Sequence, residues 1–65
     1  MKFKENDVVT LNRELKFGDI IYPIGSKCII IHAYKYNDIY EVELCKPYKI
    51  IRLQINDFQE SDRLF

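Results

Sequence analysis

Two cysteines, one histidine and two alternating glutamates are the side chains with the most chemistry to offer. They are Cys28, Cys45, His32, Glu41 and Glu43. Their value depends on how two extended runs pair, and the sequence suggests a register. If the polar turn at residues 35–38 sets Tyr34 opposite Ile39, then Ala33 faces Tyr40, Ile31 faces Val42 and Ile29 faces Leu44. On the other face His32 lies opposite Glu41, Ile30 opposite Glu43 and Cys28 opposite Cys45. Slipping the pairing by one residue would bury both glutamates, so this register is the expected one.

The chemistry that this register permits is limited. Cys28 facing Cys45 would allow a cross-strand disulfide, but in a reducing cytoplasm the pair reads as thiols. His32 is four residues along the strand from Cys28, roughly 13 Å at the usual rise, too far for one tetrahedral metal site. His32 beside Glu41 has the residue types of a base and its orienting carboxylate. No nucleophile is placed next to them, and the pair reads as a half-exposed cross-strand contact. Gly18 and Gly25 lack the spacing of a phosphate loop and read as turn glycines. No catalytic residue, cofactor or metal is therefore expected, and the chain is read as a non-enzyme.

The elements that would position these residues are short and extended. Asp7-Val8-Val9-Thr10-Leu11 is rich in β-branched residues, which suit a pleated surface. Residues 12–26 read as a long first loop, with at most one helical turn near Asn12-Arg13-Glu14 and with Pro23 excluded from a central ladder. Residues 27–34 form the second strand. Ile39-Tyr40-Glu41-Val42-Glu43-Leu44 alternates cleanly and forms the third. Cys45-Lys46-Pro47 is a turn, residues 48–55 a fourth strand, Asn56-Asp57-Phe58 a tight helical turn, and residues 59–64 a short closing strand. The expected core is Ile29, Ile31, Val42, Leu44, Ile51 and Leu53. Five short strands with a long first loop and a helical turn before the last describe an all-β, SH3-like barrel spanning residues 1–65 as a single domain. An OB-fold barrel is the alternative, but it wants a longer chain and a helix between its third and fourth strands.

Composition bounds the partner. The chain has 65 residues, with ten basic and ten acidic side chains and a formal net charge of zero. A binder that relies on neutralising phosphates usually carries a basic excess. No apolar run reaches the ~18 residues of a membrane span, and the N-terminus lacks the apolar stretch of a signal peptide. A cytoplasmic protein is expected. Of the five tyrosines, Tyr22, Tyr34, Tyr36 and Tyr48 are assigned to loops and rims, where rings either cap an open barrel or bind.

Several of these segments resemble a family. Asp7-Val8-Val9-Thr10-Leu11, Ile24-Gly25-Ser26-Lys27-Cys28-Ile29-Ile30, Tyr34 and Tyr40-Glu41-Val42-Glu43-Leu44 are similar to the D-V-V-x-L, G-x-K-G-T-I-V and Y-E-V-E-F segments of a group of small bacterial proteins classed as a domain of unknown function. The resemblance runs from about residue 7 to 58 and extends to the KOW type of SH3-like barrel. It implies a fold and no catalytic residue, and suggests a small antitoxin-like or immunity-like partner of a larger protein. Cys28 stands where the family pattern has Gly, so the start of the second strand departs from it.

The sequence thus points to a protein-interaction module. Its expected contact residues are Ile30, Tyr34, Tyr36, Ile39 and Tyr48, with a protein partner first and a homodimer second. The alternative is a KOW-like nucleic-acid binder using Lys35, Tyr36, Lys46, Tyr48 and Lys49, because aromatics stack bases while cations hold phosphates.

Overall fold

A computed structural model describes residues 3–36 and 38–61. Seven strands and one helical turn follow in order: β1 (Val8–Leu11), β2 (Leu15–Phe17), β3 (Ile20–Tyr22), β4 (Lys27–Ala33), β5 (Ile39–Leu44), β6 (Lys49–Gln54), a 3-10 turn (Ile55–Asp57) and β7 (Phe58–Glu60). Five of them form one antiparallel sheet in the order β6-β5-β4-β1-β7, and β2 pairs with β3 alone. Among the described residues no ladder joins β6 to β7, and those two strands are the edges of the sheet. Among the described residues no helix is long and apolar enough to cross a membrane.

The all-β class and strand β5 are as the sequence suggests; β6 is one residue shorter at each end than expected, and the helical turn falls one residue earlier, which places Phe58 in β7 as a buried residue. The long first loop is more ordered than expected. Leu15-Lys16-Phe17 alternates buried, exposed and half-buried, and pairs with Ile20-Ile21-Tyr22 through a turn at Gly18-Asp19. Gly18 has φ +61°, the left-handed conformation that a two-residue hairpin turn demands. The hairpin delivers Leu15 and Tyr22 to the core. Tyr22 is therefore no rim residue: it is buried, and its hydroxyl donates to the carbonyl of Pro47. Of the expected closing strand, Gln59 and Glu60 lie in β7, and residues 62–64 fall outside the described residues, as does Asn37 of the central turn.

The central register needs a larger correction. Ala33 faces Tyr40 and His32 faces Glu41, as expected, but then Ile30 pairs with Val42, Ile29 with Glu43 and Cys28 with Leu44. A bulge at Ile31 changes the parity of β4. Ile30 is fully buried (0% exposed) and Ile29 is 38% exposed, the reverse of the expectation, while Ile31 is half-buried. The argument from the glutamates still holds, because a bulge in β4 leaves the alternation of β5 untouched. What forces the bulge is the other neighbour. β1 points Val9 and Leu11 into the core and pairs Val9 with Cys28 and Val8 with Ile29. Directly opposed residues share a face, so Cys28 and Ile30 must point inward. Ala33, at the other end, is packed against the core opposite buried Tyr40. Inward positions at 28, 30 and 33 cannot follow a strict period of two, and one extra residue reconciles them.

The core gathers Val9, Leu11, Cys28, Ile30, Tyr40, Val42, Leu44 and Leu53 between the sheet and the hairpin. Ile51 packs against it from a half-buried position. Phe3, Tyr40 and Phe58 meet in three edge-to-face pairs with ring centroids 5.2–5.8 Å apart.

The 3-10 turn is tied to the first loop by charge. Arg13 Nε donates to Asp57 Oδ1 at 2.8 Å, and the Gln54 amide donates to Oδ2 at 3.0 Å. The Arg13 hydrogen bond, aided by the Gln54 amide, holds the Asp57 carboxyl below its ordinary value against a partial desolvation that acts the other way. A carboxyl depressed on folding stabilises the fold above its unfolded value of about 3.9, and that contribution is lost as pH falls through the folded value. Asp57→Asn should therefore lower the midpoint of thermal unfolding at pH 7. It should also flatten the decline in stability below about pH 4. Parallel pH-dependent melts of the two proteins check this, and curves of equal steepness would contradict it.

Candidate functional site

The site is built where the β4–β5 hairpin turns. Ala33 ends β4, Ile39 begins β5, and the Tyr34 amide donates to the Ile39 carbonyl at 2.9 Å to close the loop. Asp38 has φ +51°, a left-handed conformation that Asp tolerates better than most residues. Its carbonyl accepts from the Ile55 amide at 2.9 Å, which fastens the loop to the start of the 3-10 turn. The result is an open groove of about 600 Å³ lined by His32, Ala33, Tyr34, Lys35, Tyr36, Ile39 and Arg52.

Its floor and walls differ in character. Ala33, Tyr34 and Ile39 are half-buried, whereas Tyr36 is 75% exposed. The Tyr34 ring is held from two sides. His32 meets it edge-on with centroids 4.6 Å apart, and the Arg52 guanidinium sits 5.4 Å from its centroid. These contacts orient Tyr34 without burying it. His32 Nδ1 lies 4.0 Å from Glu5 Oε2, and both side chains are at least half exposed. A second, smaller groove of about 290 Å³, lined by Phe3, Lys4, Glu5, His32 and Ala33, continues beyond the imidazole.

Three of the five expected contact residues, Tyr34, Tyr36 and Ile39, line this one groove. Ile30 does not contribute: it is completely buried, because the bulge turns it into the core. Tyr48 is exposed but belongs to the turn between β5 and β6, at the far end of a six-residue strand. Lys46 lies in that same turn and Lys49 opens β6, where its amine sits 4.8 Å from the Phe17 ring centroid. The basic-aromatic set of the nucleic-acid reading is therefore split between two ends of the hairpin. At ~3.3 Å per residue, β5 separates them by roughly 20 Å. His32, Ala33 and Arg52 are the groove residues that neither expected contact set contains. The available signal was the cross-strand row His32–Glu41–Arg52, legible once β5 and β6 are aligned.

The thiols separate as well. Cys28 lies opposite Leu44 and is buried, while Cys45 is exposed in the next turn. Burial first, and the neighbouring Cys45 second, push the Cys28 thiol up to about 11. The thiolate is the reactive form, so a maleimide or disulfide reagent should modify Cys45 alone in the native protein and both cysteines after denaturation. Mass spectrometry of the labelled protein reads this directly, and rapid double labelling under native conditions would contradict the burial of Cys28.

His32 and Glu5 lie on an open, solvated surface. The groove beside them presents an oriented tyrosine, a second, exposed tyrosine, an apolar floor and two cations at the rim. No family model matches the chain, and no curated protein or solved structure is significantly similar to it.

Proposed function

We propose that this chain is a non-catalytic protein-interaction module, the small regulatory or neutralising partner of a larger protein, built as a partly open SH3-like barrel. The strand order supports the barrel reading: a β4-β5-β6 meander, a hairpin inside the first long loop, and a 3-10 turn that returns the last strand to β1. The resemblance to small bacterial KOW-type domains is consistent with the same reading.

The observation that carries the binding proposal is Tyr36. Its side chain stands in solvent beside the apolar floor of Ala33, Tyr34 and Ile39. Tyrosine delivers large contact area for little lost side-chain entropy, which is why it recurs at protein interfaces. A partner ring or aliphatic side chain inserted between Tyr34 and Tyr36 would bury all four residues. The neutral net charge and the division of the cations between the two hairpin ends favour a protein over a nucleic acid.

Native mass spectrometry of the chain purified from the cells that make it should show a stoichiometric protein complex. Tyr36→Ala, an exposed substitution with little effect on folding, should weaken that complex at least tenfold, in the range of a moderate interface hot spot. Recovery of free monomer alone at cellular concentration would overturn the proposal. Salt-dependent retention of oligonucleotides in its place would support the nucleic-acid reading.

A further inference from the structure

The groove opens beside β6, a sheet edge that no other described strand covers. Ile55 donates its amide to the Asp38 carbonyl, and the β5–β6 register is unbroken, so Leu53 and Ile51 make the ladder bonds to β5. In an antiparallel pair the alternate residues point their amides and carbonyls the other way. Those residues are Ile50, Arg52 and Gln54, all exposed at the edge of the sheet; Asp57 Oδ2 already accepts from the Gln54 amide at 3.0 Å, which leaves the Ile50 and Arg52 amides to an added strand. Natural edges of this kind are either blunted or used.

Charge decides what fits. β6 carries two cations, Lys49 and Arg52, and no acid, so a second copy laid along it brings like charges together. Across the outer face Glu41 lies beside Arg52 in one cross-strand row, and a carboxylate on the open side of Arg52 would give that guanidinium a second acidic neighbour. In the neighbouring row Ile29 and Ile50 flank Glu43, and Ile50 is exposed at the edge with room for an apolar neighbour.

We infer that β6 accepts an extended segment of the partner as an added antiparallel strand, with an acidic residue opposite Arg52 and an apolar residue two positions later opposite Ile50. This deepens the interaction reading above and rests on it: the strand runs along β6 and its flanking side chain enters the groove beside Arg52. Main-chain hydrogen bonds supply the attachment, and the acid-x-apolar spacing supplies the selection.

The probe is the blocked heptapeptide Ser-Thr-Val-Glu-Thr-Ile-Ser, which sets Glu opposite Arg52 and Ile opposite Ile50. Amide exchange followed by NMR should show at least tenfold slower exchange at Ile50 and Arg52 with millimolar peptide. A peptide with Lys in place of Glu should bind at least tenfold more weakly, and Arg52→Glu should reverse that preference. Unchanged exchange at these two amides overturns strand addition, as does equal binding of the two peptides. Slowed exchange at the same amides in the chain alone, growing with concentration, overturns it in favour of a second copy. Peptide-induced shifts confined to Tyr34 and Tyr36 would overturn strand addition while leaving the groove reading intact. Slowed β6 exchange that persists in Tyr36→Ala would support strand addition and count against the groove.

Discussion

Ile30→Ala should unfold most of the stability of this protein, while Ile29→Ala should leave it nearly unchanged. Ile30 is completely buried, opposite Val42. Truncating a buried isoleucine costs about 2–5 kcal/mol through lost transfer energy and the cavity left behind. A domain of 65 residues has only roughly 3–10 kcal/mol in all. Ile29 stands on the outer face, 38% exposed, between Val8 and Glu43. Its truncation should stay within about 1 kcal/mol, as for most partly exposed strand positions. Urea unfolding of the two variants measures both values. The reverse ranking would place Ile29 and Ile31 in the core and remove the bulge.

Phe58→Ala should be comparably damaging, for a different reason. Phe58 is the first residue of β7, and its ring packs edge-to-face on Phe3 at 5.2 Å and on Tyr40 at 5.4 Å. Loss of a buried phenylalanine costs about 3–5 kcal/mol, and each aromatic pair adds about 0.5–1.5 kcal/mol beyond area. β7 is three residues long and, among the described strands, pairs only with β1, so that ring is its main anchor. The expected result is loss of cooperative unfolding at 25 °C, with exchange protection lost first at the Thr10 amide, which faces Gln59. Tyr48→Ala, at an exposed turn residue, serves as the matched aromatic control and should melt like the parent. A Phe58→Ala protein that still unfolds cooperatively near the parent midpoint would contradict the role given to the cluster.

These two positions also mark where the sequence was informative and where it was silent. β5 could be read outright, because Glu41 and Glu43 alternate with Tyr40, Val42 and Leu44 and admit a single inward face. β4 could not, because Ile29, Ile30 and Ile31 are chemically identical and any parity satisfies them. The deciding contact is long-range: Val9 on β1 selects Cys28, and with it Ile30. The β2–β3 hairpin escaped notice because each strand is three residues long, too short for alternation to stand out, and because Pro23 follows directly. The site shows the same division. Tyr34, Tyr36 and Ile39 are close in sequence and line one groove. Ile30 was drawn into that group only through the unbulged register. Arg52 was left out because it reaches the groove from a different strand.

One measurement tests the interaction reading most directly: hydrogen exchange of the chain, free and in complex with the protein that co-purifies with it. The groove and the strand beside it predict slowed exchange at Tyr34, Tyr36, Ile50 and Arg52, with no change in the β2–β3 hairpin. Slowed exchange confined to residues 15–22, with residues 34–36 and β6 as in the free chain, would contradict it.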